Sequence, residues 1–170
     1  MNVIYISGCS CVGKTTLARF IIEQNGGVVD YREGFTITRT GVVLAGKYAG
    51  VKFGGFDYMG KFKKPEFNCR TIIYEGTRIS RINSEIGDSI IENNGVFVYM
   101  FASINTIDKR LKQRSNTGAT NHVIKDFKGA YSIAKKYKEA GIRVITLNTD
   151  ELSTEQCYDK IKQYIYEQTL

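Results

Sequence analysis

The sequence predicts an α/β fold, a five-stranded parallel sheet with helices packed on both faces. Three observations carry it. Apolar runs of strand length alternate with longer segments whose apolar residues recur at helical spacing. The strand-length runs are continuously apolar, as strands buried on both faces are. Glycines, alone or behind asparagine, close most of the helical segments.

The elements follow in order. Residues 3–6 form a short buried strand ended by Ser7-Gly8. Residues 15–24 carry Leu17, Ala18, Phe20, Ile21 and Ile22 at helical spacing, and Asn25-Gly26-Gly27 stops that helix. Residues 27–31 read as a second strand. Residues 32–68 are irregular, with glycines at Gly34, Gly41, Gly46, Gly50, Gly54, Gly55 and Gly60 and a lone proline, Pro65; short β segments such as 40–45 fit within them. A Gly- and aromatic-rich insertion between core strands is where substrate contacts are expected. Residues 70–74 are a third strand ended by Glu75-Gly76, and 79–92 a helix carrying Ile82, Ile86, Ile90 and Ile91 and closed by Asn93-Asn94-Gly95. A fourth strand spans 96–101, a short basic helix 106–114, a polar break 115–120 and a longer helix 123–140 capped by Gly141. Residues 142–147 are the fifth strand, and Ser153 opens a last helix with Glu155 and Gln156 as N-terminal signals. Without repeat, low-complexity tract or linker, residues 1–170 read as one domain with an insertion at about 32–68 and a lid at about 109–122.

Composition is that of a globular chain, 42% hydrophobic and 24% charged. No apolar run approaches the ~20 residues a membrane span needs. The apolar start is short, lacks a basic flank and does not read as a signal peptide, so a cytoplasmic setting is expected. Cys9, Cys11, Cys69 and Cys157 lack a matching pair or a histidine cluster, so reduced thiols are expected rather than zinc. Twenty-four Lys and Arg against 17 Asp and Glu leave a net charge of +7. That excess favours anionic partners, nucleotides or nucleic acid, although any site for phosphorylated substrates is locally basic.

The most specific feature is Gly8-Cys9-Ser10-Cys11-Val12-Gly13-Lys14-Thr15, a G-x-x-x-x-G-K-T phosphate loop. Its glycines let successive backbone N–H groups turn inward onto phosphate oxygens. The following helix adds its positive N-terminal end. Lys14 is placed to reach the β- and γ-phosphates of ATP, the Thr15 hydroxyl to ligate Mg²⁺, and Thr16 to hold the α-phosphate. The loop lies between a strand and a helix, as its chemistry requires. A GTPase would add an N-K-x-D element and a D-x-x-G after the third strand; neither is present, and a kinase is favoured.

Supporting residues cluster at strand ends. Asp30, at the end of the second strand, is a candidate base for an acceptor hydroxyl, with Glu33 as second candidate and an acceptor contact. The other reading is a strand-end acid satisfied by local N–H groups. Glu75 occupies the place after the third strand where an acid orients Mg²⁺ through water or meets the acceptor. Arg78 and Arg81 can grip acceptor phosphate, or form a solvated face. Arg110 and Arg114, four apart, share a helix face ahead of the lid and can stabilise charge on the transferred group. In the insertion, aromatics interleave with Lys61, Lys63 and Lys64, which suits base stacking and phosphate attraction or a satellite core. Asp57 there can hydrogen-bond a base or an acceptor hydroxyl. His122, the single histidine, reads as structural or exposed.

On Gly8 to Thr16, Asp30, the stretch from Ile72 to Gly76, and Arg110-x-x-x-Arg114, the chain resembles the small P-loop kinases of nucleosides, nucleoside monophosphates, shikimate and gluconate. Glu75-Gly76-Thr77-Arg78 loosely echoes the E-R-S element of deoxynucleoside kinases. Gly46-Lys47-Tyr48 followed by Gly54-Gly55-Phe56-Asp57 resembles a G-K/R-Y…G-G-x-D pattern of bacteriophage P-loop kinases, some of which phosphorylate 5-hydroxymethyl-deoxyuridine within DNA. This implies acceptor contacts at Lys47, Tyr48 and Asp57, and a base flipped from the duplex. The expected activity is γ-phosphoryl transfer from Mg·ATP to a nucleic-acid-related hydroxyl, 5-hydroxymethyluracil in DNA first. The alternatives are a free nucleoside or nucleotide, a small metabolite, or an ATP-binding module without turnover.

Overall fold

The structure, a computed structural model, describes residues 1–48, 54–59, 61–77, 84–115 and 121–167, and leaves the side chains of Tyr58, Ser115 and His122 undescribed. Seven strands make one sheet: β1 (Asn2–Ser7), β2 (Val28–Arg32), β3 (Phe35–Thr38), β4 (Val42–Ala45), β5 (Thr71–Gly76), β6 (Val96–Phe101) and β7 (Arg143–Asn148). Among the described residues five helices accompany them: α1 (Lys14–Gln24), α2 (Glu85–Glu92), α3 (Ile104–Ser115), α4 (Asn121–Glu139) and α5 (Thr154–Tyr166). The strand order is β2-β3-β4-β5-β1-β6-β7.

This corrects the expected five-stranded parallel sheet. From β4 to β7 the neighbours are parallel, but β2 and β3 add antiparallel pairs at one edge, and the sheet is mixed. The strand expected at 27–31 is the outermost one, not a member of the parallel run; β4, from the irregular insertion, takes the place beside β5. The physical reason is burial. Val28, Val29 and Tyr31 are exposed, so the apolar letters of β2 do not mark a strand covered on both faces. The reversal from β2 to β3 is a two-residue turn in which Glu33 (φ 56°) and Gly34 (φ 94°) both take positive φ. Such a turn matches the twist of the strands it joins.

The central strands behave as continuous apolar runs should. Along β1, Ile4 and Ile6 face one side, where they pack with Leu17 and Ile21 of α1 and Ile161 and Ile165 of α5. Val3 and Tyr5 face the other, with Ile86 and Ile90 of α2 and Ala134 and Tyr137 of α4. The two-residue alternation of strand side chains thus feeds two cores, one per face. Phe97 stacks on Tyr137 with ring centroids 4.6 Å apart, fixing α4 against β6. Helix α5 begins on the capping box expected from its sequence: Ser153 Oγ accepts from Gln156 N, and Gln156 reaches back to the Ser153 N–H. Helix α2 starts at Glu85 with Ser84 as N-cap, and residues 79–83 of the expected helix lie outside the described residues. Among the described residues, no helix is long and apolar enough to cross a membrane.

All five parallel strands end at the same edge. That edge receives the phosphate loop after β1, Glu75 at the end of β5 and Thr149 just after β7. Ligands of open α/β sheets bind outside this edge, where connections leave in opposite directions. Here β1 is the turning strand, with β5 on one side and β6 on the other.

Candidate functional site

The phosphate loop is held down by close packing. A Cβ on Gly8 would lie 2.2 Å from the Met100 carbonyl oxygen, so only glycine lets the chain leave β1 against β6. Gly13, in the left-handed region at φ 95°, is the N-cap of α1 and supplies no side-chain cap. The first N–H groups of α1 therefore remain available to an anion. Lys14 is 5% exposed and donates to the Cys9 carbonyl oxygen at 2.8 Å. Burial pushes its ammonium below the usual lysine range, opposed by the negative charge of Glu75 and Asp57. A buried cation of this kind is relieved when an anion enters beside it. Burial also raises the Cys9 thiol to about 11, which leaves it protonated and unreactive.

Beside the loop lies an acid cluster assembled from distant parts of the chain. The Thr15 hydroxyl donates to Glu75 Oε1 at 3.1 Å, and the Tyr48 hydroxyl donates to Oε2 at 3.1 Å. Glu75 is buried, and its desolvation raises its carboxyl above the usual range against the pull of Lys14 and these two hydroxyls. The Gly54-Gly55 segment lies directly over it. A Cβ on Gly55 would meet Glu75 Oε2 at 2.2 Å, and one on Gly46 would meet the Gly55 carbonyl oxygen at 2.4 Å. Asp57, on the 3₁₀ turn Phe56–Tyr58, accepts from both the backbone N–H and the hydroxyl of Thr77. Phe56 anchors that turn, edge-on to Tyr74 at 5.8 Å. Thr15 and Glu75 offer the hard oxygen donors that Mg²⁺ takes. Among the described residues no three His, Cys, Asp or Glu converge, so a metal here would fill its shell mainly from phosphate and water.

On the opposite side the loop borders a cleft of about 390 Å³ between Lys14, Thr16, Met100, Arg110, Thr149 and Leu152. Arg110 is a structural clasp as well as a wall: it donates to the Cys11 carbonyl at 3.2 Å, and to Thr149 Oγ1 at 3.0 Å and the Thr149 carbonyl at 2.9 Å. Arg114 reaches Cys11 Sγ at 3.8 Å. The phosphate loop is thereby tied to the end of β7.

The sequence candidates thus fall into groups. Gly8, Cys9, Ser10, Cys11, Val12, Gly13, Lys14, Thr15 and Thr16 form the loop and open α1, with Arg110 and Arg114 beside it. Glu75, Tyr48 and Asp57 meet on its other side. Glu33 and Lys47 lie further out, in a pocket at the turn between β2 and β3. Asp30 joins none of these. It sits on β2, four strand steps or about 19 Å from β1, half-exposed and paired with Arg32 at 2.9 Å. Arg78, Arg81 and the centre of the lid lie outside the described residues. Sequence reasoning missed Thr77 and Thr149. Both are small polar residues directly after a strand, and that placement is the signal that would have found them.

No protein-family model matches the chain, and no curated protein matches it significantly. Among solved structures it is similar to the YorR protein of Bacillus subtilis, determined in complex with phosphorylated GDP. That likeness has a TM-score of 0.51 and 17% identity, and covers 95% of this chain and 94% of the other. At that identity the likeness shows a shared fold. That shared fold is a mixed α/β sheet with helices on both faces.

Proposed function

We propose that this chain is a P-loop kinase that transfers the γ-phosphoryl group of Mg·ATP to a hydroxyl of a nucleic-acid-related acceptor, with 5-hydroxymethyluracil in DNA as the leading acceptor. The observation that carries the reading is the junction of phosphate loop and acid cluster. Lys14 and the α1 N-terminus lie at the glycine loop, and Thr15 is hydrogen-bonded to Glu75 next to it. Lys14 and the loop amides hold the β- and γ-phosphates, and Arg110 and Arg114 wall the nucleotide on the far side. When bound at Thr15 and Glu75, Mg²⁺ would offset phosphate charge. The acceptor oxygen attacks the γ-phosphorus, the bond to the β,γ-bridging oxygen breaks, ADP leaves, and the acceptor proton passes to a carboxylate. We assign that carboxylate to Asp57 rather than Asp30, because Asp57 lies beside Glu75 and within electrostatic reach of Lys14. Catalysis on this account is positioning and charge stabilisation.

What supports a nucleic-acid-related acceptor is the net charge of +7 and the packing of the Gly46-Lys47-Tyr48 and Gly54-Gly55-Phe56-Asp57 segments onto Glu75. A free nucleotide as acceptor is a second reading, favoured by the phosphorylated GDP in the structurally similar YorR protein. The test supplies γ-labelled ATP or GTP with Mg²⁺ to DNA containing 5-hydroxymethyluracil, ordinary DNA, nucleosides and their monophosphates, shikimate and gluconate. Label in the modified DNA, absent with Lys14→Ala, is the expected result. Label in a mononucleotide alone establishes the second reading, and label in no acceptor contradicts both.

A further inference from the structure

Outboard of the acid cluster is a second concavity, of about 310 Å³, between Tyr31, Glu33, Lys47, Met59, Lys61 and Lys63. Three lysines face one glutamate there. An ion pair from Lys63 to Glu33 spans 3.8 Å with both side chains about one-third exposed. An interaction of that length and exposure contributes little and exchanges easily for a stronger anion. Lys47 holds its ammonium 5.5 Å from the centre of the Tyr31 ring, and that ring is 46% exposed at the sheet edge. An aromatic face beside convergent ammonium groups is the chemistry that takes a base and its phosphate. The place is also suitable. Lys47 precedes Tyr48, whose hydroxyl is on Glu75, and Gly34 and Gly46 bond backbone to backbone at 2.9 Å. The pocket therefore sits one to three strand spacings, about 5–15 Å, outboard of β5 and its Glu75. That is the span between a reacting group on a nucleotide and a phosphate of the same or an adjoining residue. The pocket is of ligand size and opens at the same edge of the sheet as the phosphate loop.

We infer that Lys47, Lys61 and Lys63 form a phosphate subsite for the acceptor, which is therefore a nucleotide, free or within a strand, and not an unphosphorylated nucleoside or metabolite. This rests on the kinase reading for the term acceptor, but it is tested by binding alone. Affinity is measured without ATP for three probes: thymidine, thymidine 5′-monophosphate and a ten-residue oligothymidylate. The wild-type chain is expected to bind at least one phosphorylated probe ten times more tightly than thymidine. The triple variant Lys47→Gln, Lys61→Gln, Lys63→Gln is expected to lose that advantage while keeping wild-type affinity for ATP. Preference for the oligomer, with a salt dependence that falls by about 0.7 per lost contact in the variant, assigns the phosphate to a strand. Preference for the monophosphate assigns it to a free nucleotide. Lys63→Gln alone, which leaves Lys47 on Tyr31, guards against a folding defect and is expected to show a smaller loss of the same kind. Equal binding of thymidine and the phosphorylated probes, or wild-type affinity in the triple variant, overturns the subsite. Failure of ATP to bind wild-type protein would instead overturn the kinase reading and leave the subsite standing.

Discussion

Lys14 is buried and is held by the Cys9 carbonyl. Its charge is a burden on the ligand-free fold and an asset once a triphosphate enters. Lys14→Met is therefore expected to lower ATP affinity about 100-fold or more, as loss of charged hydrogen bonds does. The thermal midpoint of the ligand-free variant should stay level or rise, and a clear fall would show that Lys14 stabilises the empty site. Gly55 presents the opposite case. At φ 108° and with Glu75 against its Cα, Gly55→Ala should destabilise by about 2–4 kcal/mol in urea unfolding. Glu75 links stability to pH. Its folded carboxyl titrates above the ordinary 4.5 because it is desolvated. The folded state thus keeps this proton longer than the unfolded one, and stability declines as pH rises from 4.5 through the folded value. Glu75→Gln should remove that decline, so its stability gains on wild type across this interval. A parallel pair of stability–pH curves would contradict the assignment.

Elements decide which acid can act. Asp30 and Asp57 are both acids near strand ends in the sequence, yet β2 carries one to the outer edge of the sheet and the 3₁₀ turn after β4 brings the other to β5. Asp57→Asn is expected to slow phosphoryl transfer by about 100-fold or more, the usual contribution of a positioned base. Asp30→Asn should stay within about twofold of wild type, because Asp30 is tied to Arg32 at the far edge. Transfer rates under single-turnover conditions distinguish them, and the reverse pattern would restore Asp30. The strand–loop–helix around residues 8–16 was legible because its pattern lies in nine consecutive residues. The strand–helix alternation was legible because apolar runs buried on both faces look different from amphipathic helices. Strand order was not, since nothing local in Val28-Val29-Asp30-Tyr31 says that β2 lies at an edge. The turn at Glu33-Gly34 lacks the Asn-Gly or Asp-Gly letters that announce a hairpin, so β3 stayed hidden in the insertion. The segments Gly46-Lys47-Tyr48 and Gly54-Gly55-Phe56-Asp57 were visible as a pattern. Their contact emerged only when folding laid the second across the first and onto Glu75.

On the scale of the whole molecule, the sheet sorts chemistry along one edge. From the β7 side inward come the cleft beside Arg110, the phosphate loop, the acid cluster and the lysine pocket. On the proposed function, a donor nucleotide and an acceptor approach from opposite sides and meet at Lys14, Thr15 and Glu75. A ligand that binds only the folded chain stabilises it by mass action, about 2.7 kcal/mol at a hundred times its dissociation constant. The central claim is that residues 8–16 are a working site for a nucleoside triphosphate. It is tested most directly by calorimetric titration of Mg·ATP into wild-type protein and into Lys14→Ala. One nucleotide bound per chain, with affinity collapsing in the variant, is the predicted result. No binding to wild-type protein, or equal affinity in both, would contradict it.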